Sequence, residues 1–168
     1  VIVLLGFPLF LFVLYTLVHT GTGKRMTDHL SVRLPLIGPI VHKVNSASTM
    51  RTVSSLISSG VPMLEALRIT REVLQNSEYR VIIDRARAAV EKGRTLSSVL
   101  KQEERLYPVL VGELAAVGEE TGDLPGMLMK GALFYEKEVD QITKNLSTII
   151  EPVLMVVIGI AVGFFAIA

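Results

Sequence analysis

Charge is distributed along this chain in a way that restricts its fold more than any other feature. All seventeen Lys and Arg lie between Lys24 and Lys144. Of the sixteen Asp and Glu, only Glu151 lies outside that window. Residues 1–18 (VIVLLGFPLFLFVLYTLV) and 152–168 (PVLMVVIGIAVGFFAIA) carry no charge. The ends are therefore apolar and the middle is an ordinary water-facing protein. A helix rising about 1.5 Å per residue needs roughly 20 apolar residues to cross a hydrocarbon core. Both runs come close to that length and predict transmembrane helices at 1–19 and 151–168. Between them the chain divides into a linker, 20–40, and a helical domain, 41–150. Lys24, Arg25 and Arg33 follow the first run, and Lys137 and Lys144 precede the second. The positive-inside rule then places the middle in the cytoplasm, with lipid around the two ends. A protein with two buried core helices is the alternative, and long charge-free runs at both ends fit it less well.

Several residues in these runs carry meaning. Gly159 and Gly163 are four apart, a spacing that lets helices approach closely, although glycine is also common in membrane helices. Glu151 would be costly against lipid, so it is expected to face the bundle or a partner, or to lie at headgroup depth. Val1 opens directly in an apolar run, with neither an initiator Met nor a basic leader. This reads as the later part of a longer protein.

The middle has a helical period and no strand pattern. A first helix is expected over about 42–59, with Val44, Ala47, Met50, Val53, Leu56 and Ile57 inward and Gly60 just past its end. Pro62 stands at the start of the next, where a missing N–H costs nothing. Asn76 or Ser77 caps a third, whose stripe is Tyr79, Ile82, Ile83, Ala86, Ala89 and Val90, and Gly93 ends it. Thr95 caps a short fourth helix. Pro108 opens a fifth over 108–118, with Leu110, Leu114 and Val117 inward and Glu113 at the boundary. Gly118 to Gly122 breaks the chain. A long helix then starts near Leu124 and runs into the second apolar run, interrupted only by Pro152. The expected fold class is all-α: an antiparallel bundle of about six helices between two membrane helices.

Composition excludes several chemistries. The formal net charge is +1 with acids and bases interspersed, which argues against direct nucleic-acid binding. There is no cysteine, so thiol catalysis, disulfides and Cys-based zinc sites are excluded. Gly21-Thr22-Gly23-Lys24 lacks the spacing of a phosphate loop. The histidines, His19, His29 and His42, are scattered, and no Ser/His/Asp arrangement stands in a motif. Glu119, Glu120 and Asp123 are close enough to hold a hard cation, or to cap a solvated turn, which is the simpler reading. No catalytic, cofactor-binding or metal residue is expected.

Five segments, in order, resemble one family. Ser58 to Leu67 (SSGVPMLEAL) resembles the SGVPLLEAL signature of the type II secretion F / type IV pilus PilC platform proteins. Gly93-Arg94-Thr95-Leu96-Ser97 is similar to that family's G-x-S/T-L-S turn, and Tyr107-Pro108 stands where Phe-Pro is usual. Val117 to Leu124 (VGEETGDL) is similar to its G-E-x-S/T-G-x-L turn, and Ile150-Glu151-Pro152 to its I-E-P entry to the last span. Leu34-Pro35 and Gly38 fit the segment before the domain. The resemblance covers about 130 residues, from the linker to the last run. Around Val44 to Arg51 the chain departs from it: Ser48-Thr49-Met50 stand where an aromatic is frequent, which leaves that aromatic's contact without a counterpart.

The resemblance implies the second half of a protein with two cytoplasmic domains and three spans. It implies a multi-pass platform of the bacterial inner membrane, without enzymatic activity or cofactor, that oligomerises. The implied partners are a hexameric secretion or pilus-assembly ATPase, pilin or pseudopilin subunits, and other inner-membrane assembly proteins. On this reading Glu119, Glu120, Thr121, Asp123 and Glu151 form the coupling surface. Gly60, Pro62, Gly93, Pro108, Gly118, Gly122 and Pro152 shape the turns. A membrane scaffold or receptor with no filament role is the rival; it predicts no ATPase contact. A transporter would need polar groups within the apolar runs, which have few, and an enzyme would need converging titratable groups.

Overall fold

The computed structural model describes the backbone of residues 37–167, with side chains described for 37–144 and at 155, 156, 158 and 159. The order is α1 (Gly38–Ser58), α2 (Met63–Val73), α3 (Ser77–Glu91), α4 (Leu96–Leu100), a 3-10 turn (Lys101–Glu103), α5 (Val109–Thr121) and α6 (Leu124–Ile167). No strand occurs among the described residues. The all-α bundle of six helices is as expected.

The helix ends follow from local chemistry. The Gly60 amide donates to Ile57 O at 2.9 Å and the Val61 amide to Leu56 O at 3.0 Å. This pair of bonds closes α1 only if the residue between takes a left-handed backbone, and Gly60 has φ 84°. The same pair recurs at the end of α3, around Gly93. Asn76 caps α3 by accepting from the Glu78 amide at 2.9 Å, and Thr95 caps α4 by accepting from the Ser98 amide at 3.3 Å. Pro62 and Pro108 stand one residue before α2 and α5, at positions whose N–H has no helical partner.

One core runs through the bundle. Met50 and Val53 of α1, Leu67 of α2, Tyr79, Ile82 and Ile83 of α3, Val111 of α5 and Leu128 of α6 are almost wholly buried. Two tyrosines carry hydroxyls into it, and both are satisfied. Tyr79 donates to Leu106 O at 2.7 Å, and Tyr107 shares a 2.9 Å bond with Thr49 Oγ1. Burial pushes both hydroxyls above the ordinary tyrosine range, so both stay neutral. His42 adds a tie that sequence reading did not anticipate: its Nδ1 lies 2.9 Å from both Tyr79 Oη and Leu106 O. Because the tyrosine proton is directed at the carbonyl, Nδ1 is the protonated nitrogen in this arrangement.

Helices α1 and α6 pack antiparallel. Ser54 Oγ donates to Pro125 O at 2.7 Å near one end. Lys43 pairs with Glu138 at 3.1 Å near the other, with the Arg51–Glu136 pair between.

Four expectations need correction. First, among the described residues no helix is long and apolar enough to cross a membrane. The run 1–19 lies outside the described residues. The run 151–168 forms no helix of its own; it is the far part of α6, which begins inside the bundle and carries charge as far as Glu151. The flanking transmembrane helices, and the multi-pass inner-membrane location built on them, are therefore not supported.

Second, α5 is rotated from the expected face. Val111, Gly112, Ala115 and Gly118 are buried, whereas Leu110 and Val117 are 39% and 41% exposed. Small residues face inward because the neighbours come close: Leu124 Cα would lie 2.7 Å from a Cβ added at Gly118. Third, α5 does not break at Gly118 but continues to Thr121, and that close contact is the glycine's role. Val44 of α1, also expected inward, is 44% exposed.

Candidate functional site

The turn between α5 and α6 holds four of the five residues assigned to coupling, and it uses them differently. Glu119, in the last turn of α5, is half-buried. The Leu96 and Ser97 amides donate to its carboxylate at 2.6 and 3.2 Å. These are among the orphan donors of α4, so a carboxylate from a helix more than twenty residues away completes the cap begun by Thr95. Asp123 Oδ1 accepts from the Gly126 amide at 3.0 Å and starts α6. Thr121 Oγ1 donates to Val117 O at 2.8 Å, inside its own helix. Glu120 is exposed and takes part in none of these bonds. Gly122, with φ 74°, ends α5.

The acids therefore do not converge. Glu119 is directed at amides, and Asp123 at the start of α6. Among the described residues no group of three His, Cys, Asp or Glu is placed to hold a metal ion. The capping reading is the one the geometry matches. Glu151 lies 27 residues beyond Leu124, the first residue of α6, about 40 Å along its axis, so it is not part of this turn. Its side chain lies outside the described residues. Pro152 likewise sits within α6. Glu113, expected at a boundary, is exposed and pairs with Lys101 at 3.0 Å.

The tertiary structure brings further residues to this end. Because Glu119 reaches the start of α4, the α3–α4 turn lies beside the acidic one, and its Lys92 and Arg94 are exposed. The result is an end face carrying both signs, with Glu120 and Asp123 on one turn and Lys92 and Arg94 on the other. Val117 stands one helical turn away. Such a face can take a partner of mixed charge, and nothing in it is arranged for bond-making chemistry. Sequence reading found the acidic turn but not its basic neighbour, because the two are linked only by the long-range Glu119 cap.

A second feature is the open groove of about 520 Å³ between α1 and α6, lined by Val44, Ala47, Ser48, Val139 and Thr143 and edged by Arg51 and Glu136. The Arg51 guanidinium hydrogen-bonds the Glu136 carboxyl and holds it below the usual carboxylate range.

Residues 49–168 match the family Type II secretion system (T2SS), protein F. The chain belongs to this family. Its relatives include the type IV pilus assembly protein PilC of Thermus thermophilus, 40% identical over 86% of this chain and 36% of the relative. PilC of Myxococcus xanthus is 38% identical over 86% and 34%. The type II secretion system protein F of Aeromonas hydrophila is 33% identical over 79% and 34%. The chain thus spans about a third of the length of the curated relatives it matches. The family is the one that the five motifs resembled, and the signature Ser58 to Leu67 spans the α1–α2 turn and the first five residues of α2.

Proposed function

We propose that the bundle is a non-catalytic platform domain of a type IV filament machine, which receives motion from a hexameric ATPase and passes it to pilin-like subunits. The family match over 49–168 carries this reading. The motor contact is assigned to the mixed-charge end face, through Glu120, Thr121, Asp123, Lys92 and Arg94. Glu119 holds that face together. Helix α6 starts at the face and runs for 44 residues, so a push on the turn is delivered along a rigid rod. Glu151 stands far along that rod, where motion would leave the bundle. Other copies of the protein and further assembly proteins complete the platform.

The rival scaffold reading predicts no motor contact. A photo-crosslinker placed at Thr121 of the full-length protein in cells separates the two. Capture of the ATPase is the expected result. Capture of only the protein's own copies would move the end face to an oligomer interface. If neither the ATPase nor any filament component were captured from Thr121, Glu120, Lys92 and Arg94, the coupling role would be lost and the scaffold reading would stand.

A further inference from the structure

The outer face of the α5–α6 pair is apolar along its middle and oppositely charged along its two edges. Leu114 of α5 seats against Gly131 of α6, and Gly118 against Leu124 and Met127. The two helices are therefore antiparallel neighbours, and the residues just outward of this seam line a shallow groove. Leu110 and Val117 of α5 are 39% and 41% exposed there, and Phe134 of α6, three residues from Gly131, is 48% exposed. Glu113 and Glu120 border the groove on the α5 side, and Lys130 and Lys137 border it on the α6 side; all four are exposed. Each pair is seven residues apart, about two helical turns, so each forms a row along its helix. Glu113 is engaged at the surface with Lys101. Lys130 and Lys137 make no ion pair among the described residues. The flank of α5 that carries Gly112 and Glu119 is turned to Lys101 and α4, so this face lies on the other side of the helix.

An apolar middle with one acidic and one basic edge is complementary to itself. Two copies can meet face to face about a two-fold axis across the helices, which sets α5 on α5 and α6 on α6. They can also meet about an axis along the helices, which sets α5 of each copy on α6 of the other. The first arrangement opposes glutamates with glutamates and lysines with lysines, and like charges across a contact are unfavourable. The second sets a glutamate row against a lysine row on both sides. The levels also agree. Leu114 and Gly131 touch, so their chain neighbours Glu113 and Lys130 stand at one height, and an axis along the groove leaves height unchanged. We propose that this face is a contact between two copies of the protein, with the two-fold axis along the α5–α6 groove. Glu113 of each copy meets Lys130 of the other, and Leu110, Val117 and Phe134 of both fill the middle. A second copy is the occupant because the face supplies its own complement in both shape and charge. Helix α5 has 13 residues. A strip of two helices of that length, about 20 Å by 20 Å, offers on the order of 400 Å² per copy, about half of what a stable complex buries. The contact is therefore weak by itself and is to be sought in the full-length protein in cells. It does not depend on the motor contact.

The chain has no cysteine, so single cysteines introduced here report cleanly in a full-length protein freed of any others. Leu110→Cys and Val117→Cys lie beside the axis, and a short bis-maleimide should join each to itself in the second copy. Glu113→Cys and Lys130→Cys lie off the axis. Neither should link alone, and cells holding both single variants should give the mixed link. Val81→Cys, 49% exposed on α3, should stay unlinked. Lys130→Glu should lower the Val117→Cys link several-fold, and adding Glu113→Lys should restore it, a rescue that damage to folding would not permit. Self-links of Glu113→Cys and of Lys130→Cys without the mixed link would overturn the axis along the groove. An unchanged Val117→Cys link in Lys130→Glu would overturn the charge match that carries the proposal. Absence of links at every position would overturn the contact itself. In that case, protection of Val117→Cys from a water-soluble maleimide would assign the face to a different protein, and full labelling would leave it bare.

Discussion

The two halves of α6 are one helix in backbone and two different objects in packing. The near half, up to about Lys144, buries Leu124, Leu128, Ala132 and Tyr135 against the core and carries Glu136 and Glu138 to basic partners on α1. Beyond it, the described side chains Met155, Val156 and Ile158 are exposed although they are as apolar as any in the core. Burial here follows from the neighbours a residue is given, and hydrophobicity alone does not decide it. The near half shares its length with α1 and α5, whereas the far half outruns them.

That contrast can be broken most strongly at Leu128. Leu128→Ala should destabilise the bundle by about 2–5 kcal/mol, while Met155→Ala should leave the same unfolding transition within about 0.5 kcal/mol. Chemical denaturation of the two variants checks this, and equal effects would mean that the far half is part of the bundle's core. The next effect is at the root of α6. Glu119→Ala strands two amides of α4 and should cost about 1–3 kcal/mol, whereas Glu120→Ala one residue on should be near neutral. Amide hydrogen exchange at Leu96 and Ser97 should accelerate in the first variant only.

Gly60→Ala should cost about 1–2 kcal/mol, because the closing bonds of α1 require a left-handed backbone there. Its effect should fall on the bundle transition, read by chemical denaturation. The smallest effect is on the acid side. Arg51, mainly through its hydrogen bond, lowers the pKa of Glu136 in the folded state. The pair therefore contributes stability above the unfolded carboxylate value of about 4.3, and loses it as pH falls through the lower folded value. Glu136→Gln should flatten that part of the stability profile. Both groups are exposed, so the change is small and best read from the slope between about pH 5 and 3.

Turn chemistry was largely legible in the sequence. Gly60, Gly93 and Gly122 end helices, Pro62 and Pro108 precede them, and Thr95 caps one, each for a reason contained within four residues. The stripe of α3 was legible because its polar and apolar faces are distinct. For α5 the pattern was not, since it is apolar nearly all round and glycine and alanine can face inward as well as leucine. The acidic turn was visible as a cluster, but its division of labour was not. Glu119 differs from Glu120 only through amides that folding brings from α4.

By itself, then, the sequence determined an all-helical chain, its punctuation and its family, because these rest on neighbours in the chain and on motif order. Tertiary structure decided which carboxylate is structural, which face of α5 is outside, that Lys92 and Arg94 join the acidic turn, and where α6 loses its partners. Each of those depends on contacts between residues far apart in sequence, and on how long one helix is compared with the helices beside it. A pattern of single residues carries neither quantity.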